Sequence, residues 1–384
     1  MHICLLCNEY PPGPHGGKGS ATRTLGQALA ARGHKVTILG LCLSRQDKEE
    51  RDGDVRVIRL ANTQVRGTGF LFNGRRLRKA LWDVHRESPI DILEASESGL
   101  SMLPEGFPAA KIIRMQGGHH FFSSTLGVRS SPWRRWLENR SIRKADHLCA
   151  VSRYVADTTR GLLHLDSRPV VILPNPVDLS LFSPREGTEE PGLILFVGTV
   201  CEKKGVRQLI EAMPRIAEAA PQARLWIAGP DTLHPASRRS FTARLKDSMA
   251  PKVKDRIRFL GPLENSLLPD LLAKASVCAY PSHMEALPVA WLEGMAMGKA
   301  IVASKTGPGP ELIEDGVSGL LCDPLDPASI AAEIIALLLD PDLRARLGRS
   351  ARLRAEGRYS SSALAERNET FYRSCLQEKV AHGA

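Results

Sequence analysis

The chain has 384 residues, of which 43% are hydrophobic and 24% charged, and this composition is typical of a folded globular protein. It excludes a disordered or fibrous chain, and no apolar run reaches the roughly 18 residues that a membrane-spanning helix requires. One domain usually takes about 100–200 residues, so the length predicts two domains, with the functional site in a cleft between them.

Positive charge is in excess, since 52 Lys and Arg stand against 42 Asp and Glu, a net charge of +10. The excess lies mainly in the first half, for example at residues 75–79 and 133–144, and favours an anionic partner surface. Trp133, Trp136 and Leu137 are spaced i, i+3, i+4, which predicts a helix that turns them to the core, with membrane docking as the alternative. No nucleic-acid-binding motif accompanies the charge, so no nucleic acid is expected.

Cysteine and aspartate patterns do not predict a metal site. Cys4 and Cys7 would point to opposite faces of a first strand, and no second pair follows at zinc-like spacing, so neither metal nor redox chemistry is expected. The Asp-x-Asp triplets at residues 52–54 and 340–342 predict a hairpin turn and a helix cap. The N-terminus lacks the features of a signal peptide, which places the protein in the cytoplasm.

Residues 1–176 alternate strand-like and helical patterns, which predicts parallel strands joined by right-handed crossovers. The predicted strands are residues 3–7, 36–41, 55–60, 90–94, 110–115, 147–151 and 170–173. The predicted helices are residues 20–32, 74–86, 132–144 and 153–163.

Residues 177–191 are polar and rich in Pro and Gly, which predicts a linker. A second alternating series fills residues 192–356, so the fold class is α/β with two doubly wound parallel sheets. Its predicted strands are residues 193–198, 224–228, 257–260, 277–280 and 300–303, and its predicted helices are residues 205–219, 235–250, 267–274 and 288–297. Residues 357–384 contain one more predicted helix, over 361–380.

A glycine-rich loop at residues 14–20 follows the first predicted strand and contains Gly16 and Gly17. Glycines permit positive φ and let a ligand approach the backbone closely. Thr22 stands where a dinucleotide fingerprint needs Gly or Ala, and the Lys-Ser/Thr pair of a P-loop is missing. The loop is therefore a candidate binding loop of neither common phosphate-binding type.

Two histidines, His119 and His120, follow another strand of the first half. If the sheet runs as predicted, they reach its carboxyl edge, where ligands of such sheets bind. A His there can hydrogen-bond the hydroxyls of a sugar or act on an acceptor. Both are candidate catalytic residues, and the sequence does not choose between them.

Gly198 and Thr199 end the first strand of the second half, and Lys204 lies in the loop that follows it. Lys204 is the best-placed cation of this loop for an anionic ligand such as a diphosphate. We predict that these three residues contribute to one binding site.

Glu285 and Glu293 stand eight residues apart, across a turn and the start of a predicted helix. Free N–H groups and the positive dipole end favour an anion at that start, which comprises Ala286, Leu287, Pro288 and Val289. Glu293 lies about one and a half turns into the helix and could accept hydrogen bonds from a diol such as a ribose. A phosphate site beside a diol site suits a nucleotide-sugar.

The ordered series of motifs resembles the retaining GT-B glycosyltransferases of family 4, over nearly the whole chain. The matching segments are the E-x7-E motif of Glu285 and Glu293, residues 298–304 and 307–316 after it, the N-x-V-D-x3-F element at 175–182, the G-G-x-G loop at 16–19 and residues 28–36. One position departs from the pattern. Thr199 stands where the family commonly has an Arg, so one usual diphosphate contact is missing, with Lys203 or Arg207 as candidate substitutes.

The resemblance implies two Rossmann-like domains that face an interdomain cleft, with the acceptor bound by residues 1–176 and the donor by residues 192–356. Residues 357–384 would cross back to the first domain. The implied reaction moves a hexose, with retention of configuration, from a nucleotide-sugar, with UDP favoured over GDP. Glu285, Lys204 and a His of the first domain would take part in catalysis, and no metal or other cofactor is implied.

The expected acceptor is a saccharide or a lipid-linked oligosaccharide of a bacterial envelope polysaccharide. The basic first domain would meet it by peripheral contact with an anionic membrane, at the inner face of the plasma membrane. Three alternatives stay open because a fold does not determine a reaction. They are an epimerase or a phosphorylase on the same scaffold, and a catalytically silent subunit that binds a nucleotide-sugar.

Overall fold

A computed structural model describes residues 1–13, 15–42, 46–63, 69–127, 129–233 and 239–383. The chain forms two compact units: the first unit is Met1–Pro176 with Ser361–Ala384, and the second unit is Val177–Ser360. Pro14 of the glycine-rich loop and residues 235–238 of a predicted helix lie outside the described residues.

The first unit is built on an eight-stranded sheet. Its strands are β1 (His2–Leu6), β2 (Lys35–Cys42), β3 (Lys48–Asp52), β4 (Val55–Ala61), β5 (Ile92–Ser96), β6 (Ala110–Met115), β7 (His147–Ala150) and β8 (Val170–Ile172). Their order across the sheet is β3-β4-β2-β1-β5-β6-β7-β8, and β3 alone is antiparallel to its neighbour. Strands β1 and β5 are buried on both faces, which explains why most of their residues are apolar.

The second unit is built on a six-stranded sheet whose strands are all parallel. They are β9 (Leu193–Val197), β10 (Arg224–Ala228), β11 (Ile257–Gly261), β12 (Val277–Tyr280), β13 (Ala300–Ser304) and β14 (Leu320–Cys322). Their order is β11-β10-β9-β12-β13-β14. The chain therefore builds the sheet outward from β9 in one direction and then returns to add β12 on the other side of β9.

Helices connect most of the strands. Those of the first unit are α1 (Gly17–Ala31), α2 (Gly69–Glu87), α3 (His119–Thr125), α4 (Pro132–Lys144), α5 (Arg153–Leu163) and α13 (Ser361–Gly383). Those of the second unit are α6 (Val206–Ala219), α7 (Phe241–Ser248), α8 (Leu268–Lys274), α9 (Val289–Ala296), α10 (Gly309–Leu312), α11 (Pro327–Leu339) and α12 (Pro341–Tyr359). Helix α1 begins three residues before the predicted start, so Gly17 lies in its first turn.

The two Asp-x-Asp triplets have the local structures that their turn chemistry predicts. Residues 52–54 form the turn of the β3-β4 hairpin, with Gly53 at φ 61°. The Asp340 side chain accepts the Leu343 N–H at 2.9 Å and caps α12.

Burial raises the pKa of the Cys4 thiol to about 12, so this side chain stays a protonated core residue.

A buried charged network ties α13 to the sheet of the first unit. The Arg114 guanidinium donates two hydrogen bonds to the Glu94 carboxylate, at 2.7 and 2.9 Å. From α13, the Tyr372 hydroxyl donates to Glu94 at 2.8 Å, and the Asn368 side chain accepts from Arg114. All four side chains are buried, so each charge depends on these partners for its solvation.

Helix α4 turns Trp133 and Trp136 outward, contrary to the prediction, whereas Leu137 is partly buried. Trp133 and Trp136 are 50% and 43% exposed, and their rings stack at 5.0 Å. The buried face carries Glu138 and Ser141 instead. These two side chains accept backbone N–H groups of neighbouring segments, Glu138 from His120 at 3.0 Å and Ser141 from Leu100 at 2.9 Å. The helix thus turns inward the face that satisfies buried backbone donors.

Within the described part of the chain, we find no helix that combines the length and the apolar character needed to cross a membrane.

Replacing Arg114 by Met should destabilise the first unit by about 3–5 kcal/mol, because the buried Glu94 carboxylate would lose its countercharge. Urea denaturation followed by fluorescence and circular dichroism measures this loss. Arg373→Ala is the matched control, since Arg373 is 60% exposed and pairs with Glu369 on the surface of α13. It should cost less than about 1 kcal/mol. Equal losses in the two variants would contradict the importance of the buried network.

Candidate functional site

The strand order of the second unit identifies where a ligand should bind. Strands β9 and β12 are neighbours, but the chain leaves β9 toward β10 and leaves β12 toward β13. The loops after these two strands therefore separate and leave a crevice at the carboxyl edge of the sheet, which is the usual ligand site of such folds. Lys204 lies in the loop after β9, and Glu285 lies in the loop after β12.

Gly205 brings the two loops together. It has φ 69°, and a Cβ there would lie 1.8 Å from the carbonyl oxygen of Pro281, so only glycine allows this approach. The His283 N–H also donates to the Lys203 carbonyl at 2.8 Å. The backbone thus holds the Lys204 turn against the loop that carries Glu285.

Lys204 and Glu285 form an ion pair in which Nζ donates to Oε1. Their side chains are 21% and 10% exposed. Glu285 precedes α9, whose N-cap residue is Pro288, a residue with no side-chain group that could cap the helix. The cation and the first turn of α9 therefore offer positive charge and backbone donors at one place.

Glu293 is a buried carboxylate on α9, 7% exposed. Loss of solvent raises its pKa to about 7, and among the described residues no cation or hydrogen-bond donor is paired with its side chain. Such a group costs stability when ionised: the cost appears as the pH rises above the ordinary carboxyl range and is complete above about pH 7. Its carboxylate can instead be satisfied by hydroxyl groups of a ligand.

The other candidate residues of the second unit lie in the same two loops. Gly198 follows β9 at φ 152° and donates its N–H to the Ala228 carbonyl at 2.9 Å, with Thr199 next to it. Ala286 and Leu287 lie between Glu285 and the start of α9. Arg207, a candidate substitute for the missing Arg, is held by the carboxylates of Glu202 and Glu211.

In the first unit the glycine-rich loop joins β1 to α1. Gly16 is the N-cap residue of α1 and donates its N–H to the Glu9 carboxylate at 2.9 Å. A Cβ on Gly19 would lie 1.9 Å from the Glu9 carbonyl oxygen, so this position also requires glycine. Gly17 begins the helix.

The Lys18 side chain extends to β5, which is the neighbour of β1 in the sheet. Its ammonium donates to the hydroxyl of Ser96, the last residue of β5, at 3.1 Å. Strands β1 and β5 are the neighbours from which the chain departs in opposite directions in this sheet. A small cavity of about 20 Å³ lies here, lined by polar side chains such as Lys18, Ser96 and Gln116 and by apolar ones such as Leu5 and Leu25. It has room for about one water molecule.

His119 and His120 begin α3, and their imidazoles have different surroundings. The His119 Nε2 accepts the Ser131 N–H at 2.9 Å and lies 3.1 Å from the Ser130 hydroxyl. His120 is buried, and its Nε2 has no hydrogen-bond partner among the described residues. Burial lowers the pKa of both imidazoles. Both are therefore mostly neutral at neutral pH, and the one on His120 retains an unused ring nitrogen.

Two buried carboxylates hold the loop between β6 and α3. Glu97 accepts the Gln116 N–H, and Glu138 accepts the His120 N–H. A Cβ on Gly118 would lie 2.2 Å from Glu138 Oε1 and 2.8 Å from Glu97 Cγ, so both side chains meet at this glycine. Burial, and secondarily the neighbouring Glu97, raise the pKa of Glu138 to about 7.

Glu97 and Glu138 are not among the functional candidates that the sequence predicted. Glu138 lies in a basic helix beside two exposed tryptophans, which suggests a solvated position. One feature of the sequence could have indicated its burial: Glu138 lies one helical turn before the apolar Ile142, and both residues belong to the buried face of α4.

Two family models match the chain in succession. Residues 15–181 match the model described as Glycosyltransferase Family 4, and residues 181–354 match the model described as Glycosyl transferases group 1. The chain is 28% identical, over 385 residues, to the glycogen synthase of Mycobacterium tuberculosis, covering 92% of this chain and 90% of the relative.

A second relative is the GDP-mannose-dependent monoacylated alpha-(1-6)-phosphatidylinositol monomannoside mannosyltransferase of Corynebacterium glutamicum. It is 27% identical over 279 residues, which are 67% of this chain and 69% of the relative. Among solved structures, the sucrose-phosphate synthase of Thermosynechococcus elongatus superposes with a TM-score of 0.84 at 22% identity, covering 98% of this chain and 100% of that chain. With the two parallel sheets and the consecutive family matches, the chain belongs to the glycosyltransferases of family 4 and has the GT-B fold.

Proposed function

We propose that the protein is a retaining hexosyltransferase that moves a sugar from a nucleotide-sugar to a saccharide or lipid-linked acceptor of a cell-envelope polysaccharide. The donor half rests on the buried carboxylate of Glu293, which has no cation or hydrogen-bond donor among the described residues and lies in α9, directly after the loop of the Lys204–Glu285 ion pair. A carboxylate of this kind needs hydroxyl donors, and the positive dipole end at the start of α9, beside Lys204, favours an anion. A nucleoside diphosphate sugar supplies both in one molecule.

In this proposal the diphosphate lies at the start of α9, where Ala286, Leu287 and Val289 border it, and the ribose lies at Glu293. Lys204 would then bind phosphate oxygens, with Glu285 orienting the Lys204 ammonium and contacting the donor. Gly198 and Thr199 would border the donor from the loop after β9. In the first unit, Gly16 and Gly17 would contribute to ligand binding, and His119 or His120 would act on the acceptor.

Departure of the nucleoside diphosphate increases the negative charge on its phosphates. Lys204 and the N–H groups of α9 would stabilise that charge, which is the form of catalysis that depends on preorganised donors. We propose that no metal ion and no other cofactor is required, because these groups already supply positive charge where it develops.

UDP is our first choice of donor base, on its frequency in the family, and a UDP-glucose-like sugar is favoured. One relative is GDP-mannose-dependent, so both donors should be compared. Thermal shift with UDP-glucose and with GDP-mannose distinguishes them, because a ligand stabilises the native state by RT ln(1 + [L]/Kd). Release of free nucleotide, measured with and without acceptor, separates the transferase from an epimerase, a phosphorylase or a silent binding subunit. A protein that binds a donor but never releases nucleotide would contradict transfer.

The acceptor half of the proposal rests on an exposed surface of the first unit. Leu71, Phe72, Trp133 and Trp136 are all more than 40% exposed, and we call this set the aromatic patch. Phe70 connects its two helices, since its ring contacts Trp133 edge-on at 5.0 Å. Apolar side chains with basic neighbours are typical of peripheral membrane binding. We propose that the patch contacts an anionic membrane at the cytoplasmic face, where a lipid-linked acceptor would be met.

Donor binding should strengthen with pH through the ionisation of Glu293. The ionised form accepts hydrogen bonds from a ribose, so the affinity for UDP-glucose should increase by roughly tenfold between about pH 6 and about pH 8. Glu293→Gln should remove this dependence, and Glu293→Ala should weaken binding by about 1–3 kcal/mol. Isothermal titration with the parent and both variants measures the effect. Unchanged affinity in Glu293→Ala would show that the ribose lies elsewhere.

Lys204→Ala should lower turnover by about 10²-fold or more, and weaken donor binding less, because the charge that it stabilises grows as the glycosidic bond breaks. Steady-state kinetics and donor titration measure the two effects separately. Lys274→Ala is the control, since Lys274 is 46% exposed, pairs with Glu190 and precedes β12 at the opposite edge of the sheet.

Equal losses in binding and turnover would make Lys204 a ground-state anchor only. The same assays should be run with EDTA, which should leave the parent rate intact. A rate that EDTA abolishes and Mg²⁺ restores would contradict the metal-free proposal.

The parent should sediment with phosphatidylglycerol-containing vesicles at low ionic strength and be released by about 0.5 M salt, because each basic side chain near an anionic surface contributes only about 1 kcal/mol. Trp133→Ala/Trp136→Ala should weaken this binding. Leu353→Ala is the matched control, since Leu353 is an exposed apolar residue of the second unit. Absent binding at low salt would favour an acceptor in free solution.

A further inference from the structure

A pocket of about 190 Å³ lies in the first unit between the sheet and helices α2 and α4. Its apolar lining comes from Leu6, Leu39, Leu41, Phe70, Leu77, Met102 and Leu137. Its polar lining includes Asn8, Lys18, Asn73, Ser96, Ser98 and Ser101. Leu6 and Ser96 end β1 and β5, so the pocket lies at the same edge of the sheet as the glycine-rich loop.

The polar side chains of this pocket differ in whether the fold already uses their hydrogen-bonding groups. The Asn73 side chain is used within the fold, since it bonds Asn62 at 2.6 Å and the Thr63 backbone at 2.9 and 3.1 Å. The Oδ1 atom of the Asn8 side chain accepts the Leu41 N–H at 2.9 Å. Lys18 differs from these two, because among the described residues its ammonium is paired with a neutral hydroxyl and with no carboxylate within ion-pair distance.

Lys18 also lines the small cavity described above, so its side chain borders both cavities. The buried Glu97 carboxylate interacts with Lys18 electrostatically, and the Ser96 bond uses only one of the three donors of the ammonium, so a bound anion can still accept a charge-assisted hydrogen bond from it. The volume of the larger pocket decides what else can bind there. An apolar cavity of about 150 Å³ holds a benzene molecule, so this pocket has room for a chain of about six carbons.

The pocket is continuous with the aromatic patch. Phe70 lines the pocket and contacts Trp133 of the patch. Leu137 lines the pocket from α4, next to Trp136 in the chain. An apolar chain that leaves a lipid surface beneath the patch would therefore meet an apolar path that ends at Lys18.

We propose that this pocket binds the apolar chain of an amphiphilic acceptor, with the anionic group of that acceptor at Lys18. The proposal rests on the proposed function, because it names the chemical class of the acceptor. It commits to one occupant, a single chain with a phosphate-like head, since the cation, the limited volume and the continuity with the patch all fit that molecule.

The test uses n-hexyl phosphate as the probe, with 1-hexanol and inorganic phosphate as its two fragments. Isothermal titration should show that hexyl phosphate binds at least about tenfold more tightly than either fragment, because it uses both the pocket and the cation. Lys18→Met should weaken hexyl phosphate by about tenfold and leave hexanol unchanged. Leu77→Trp, which fills the pocket, should weaken both ligands.

Two further variants keep the test decisive. Met102→Trp fills the pocket from another wall and replaces Leu77→Trp if that variant does not fold, as judged by near-UV circular dichroism. Trp133→Ala/Trp136→Ala should bind hexyl phosphate like the parent, because the probe is too short to need the patch. Loss of binding in this variant, with full binding in the filled variants, would assign the probe to the patch and overturn the pocket proposal.

The outcomes also separate this proposal from the proposed function. If neither filled variant nor Lys18→Met changes hexyl phosphate binding while sugar transfer proceeds, the pocket proposal is wrong and the transferase stands. If the probe binds as expected but no nucleotide is released from UDP-glucose or GDP-mannose with any acceptor, the pocket stands and the transferase is wrong.

Discussion

The ion pair of Lys204 and Glu285 is the interaction on which the candidate donor site depends. Strands β9 and β12 are adjacent in the sheet, but the chain leaves them in opposite directions. The ion pair joins the two loops that follow these strands. The close approach is possible because Gly205 has no side chain where Pro281 passes. The charge of Lys204 is therefore held in place before a ligand arrives, which is the condition for electrostatic stabilisation without reorganisation.

Buried carboxylates appear in both units, and their partners decide their roles. Glu94 is fully compensated by Arg114 and Tyr372, so it stabilises the attachment of α13. Glu97 and Glu138 use backbone N–H groups and hold the loop before α3. Glu293 has neither a cation nor a donor within the described residues, and its desolvation raises its pKa to about 7. The group that the fold leaves uncompensated is the one that we assign to a ligand.

Particular elements mark the limits of sequence-based inference. The apolar runs of β1, β5, β9 and β12 were recognisable because both of their faces are buried. Strand β3 was not predicted, since Lys48–Asp52 is a charged edge strand without an apolar pattern. Helix α4 was predicted with the wrong face inward. Its tryptophans carry the apolar signal, but Glu138 and Ser141 satisfy buried backbone donors, and an unsatisfied buried donor costs about 1–3 kcal/mol.

The sequence by itself determined the class of fold, because the periodicities of strands and helices are local properties. It also determined the spacing of Glu285 and Glu293, because one turn and the start of the following helix separate them. It also identified Lys204 and the glycine-rich loop. Only the tertiary structure decided that Lys204 reaches Glu285, that Glu293 has no partner among the described residues, and that Lys18 borders two cavities. These facts depend on which strands are neighbours and on what surrounds a side chain in space. Contacts between residues about 80 positions apart, such as Lys204 and Glu285, produce no periodic pattern in the sequence.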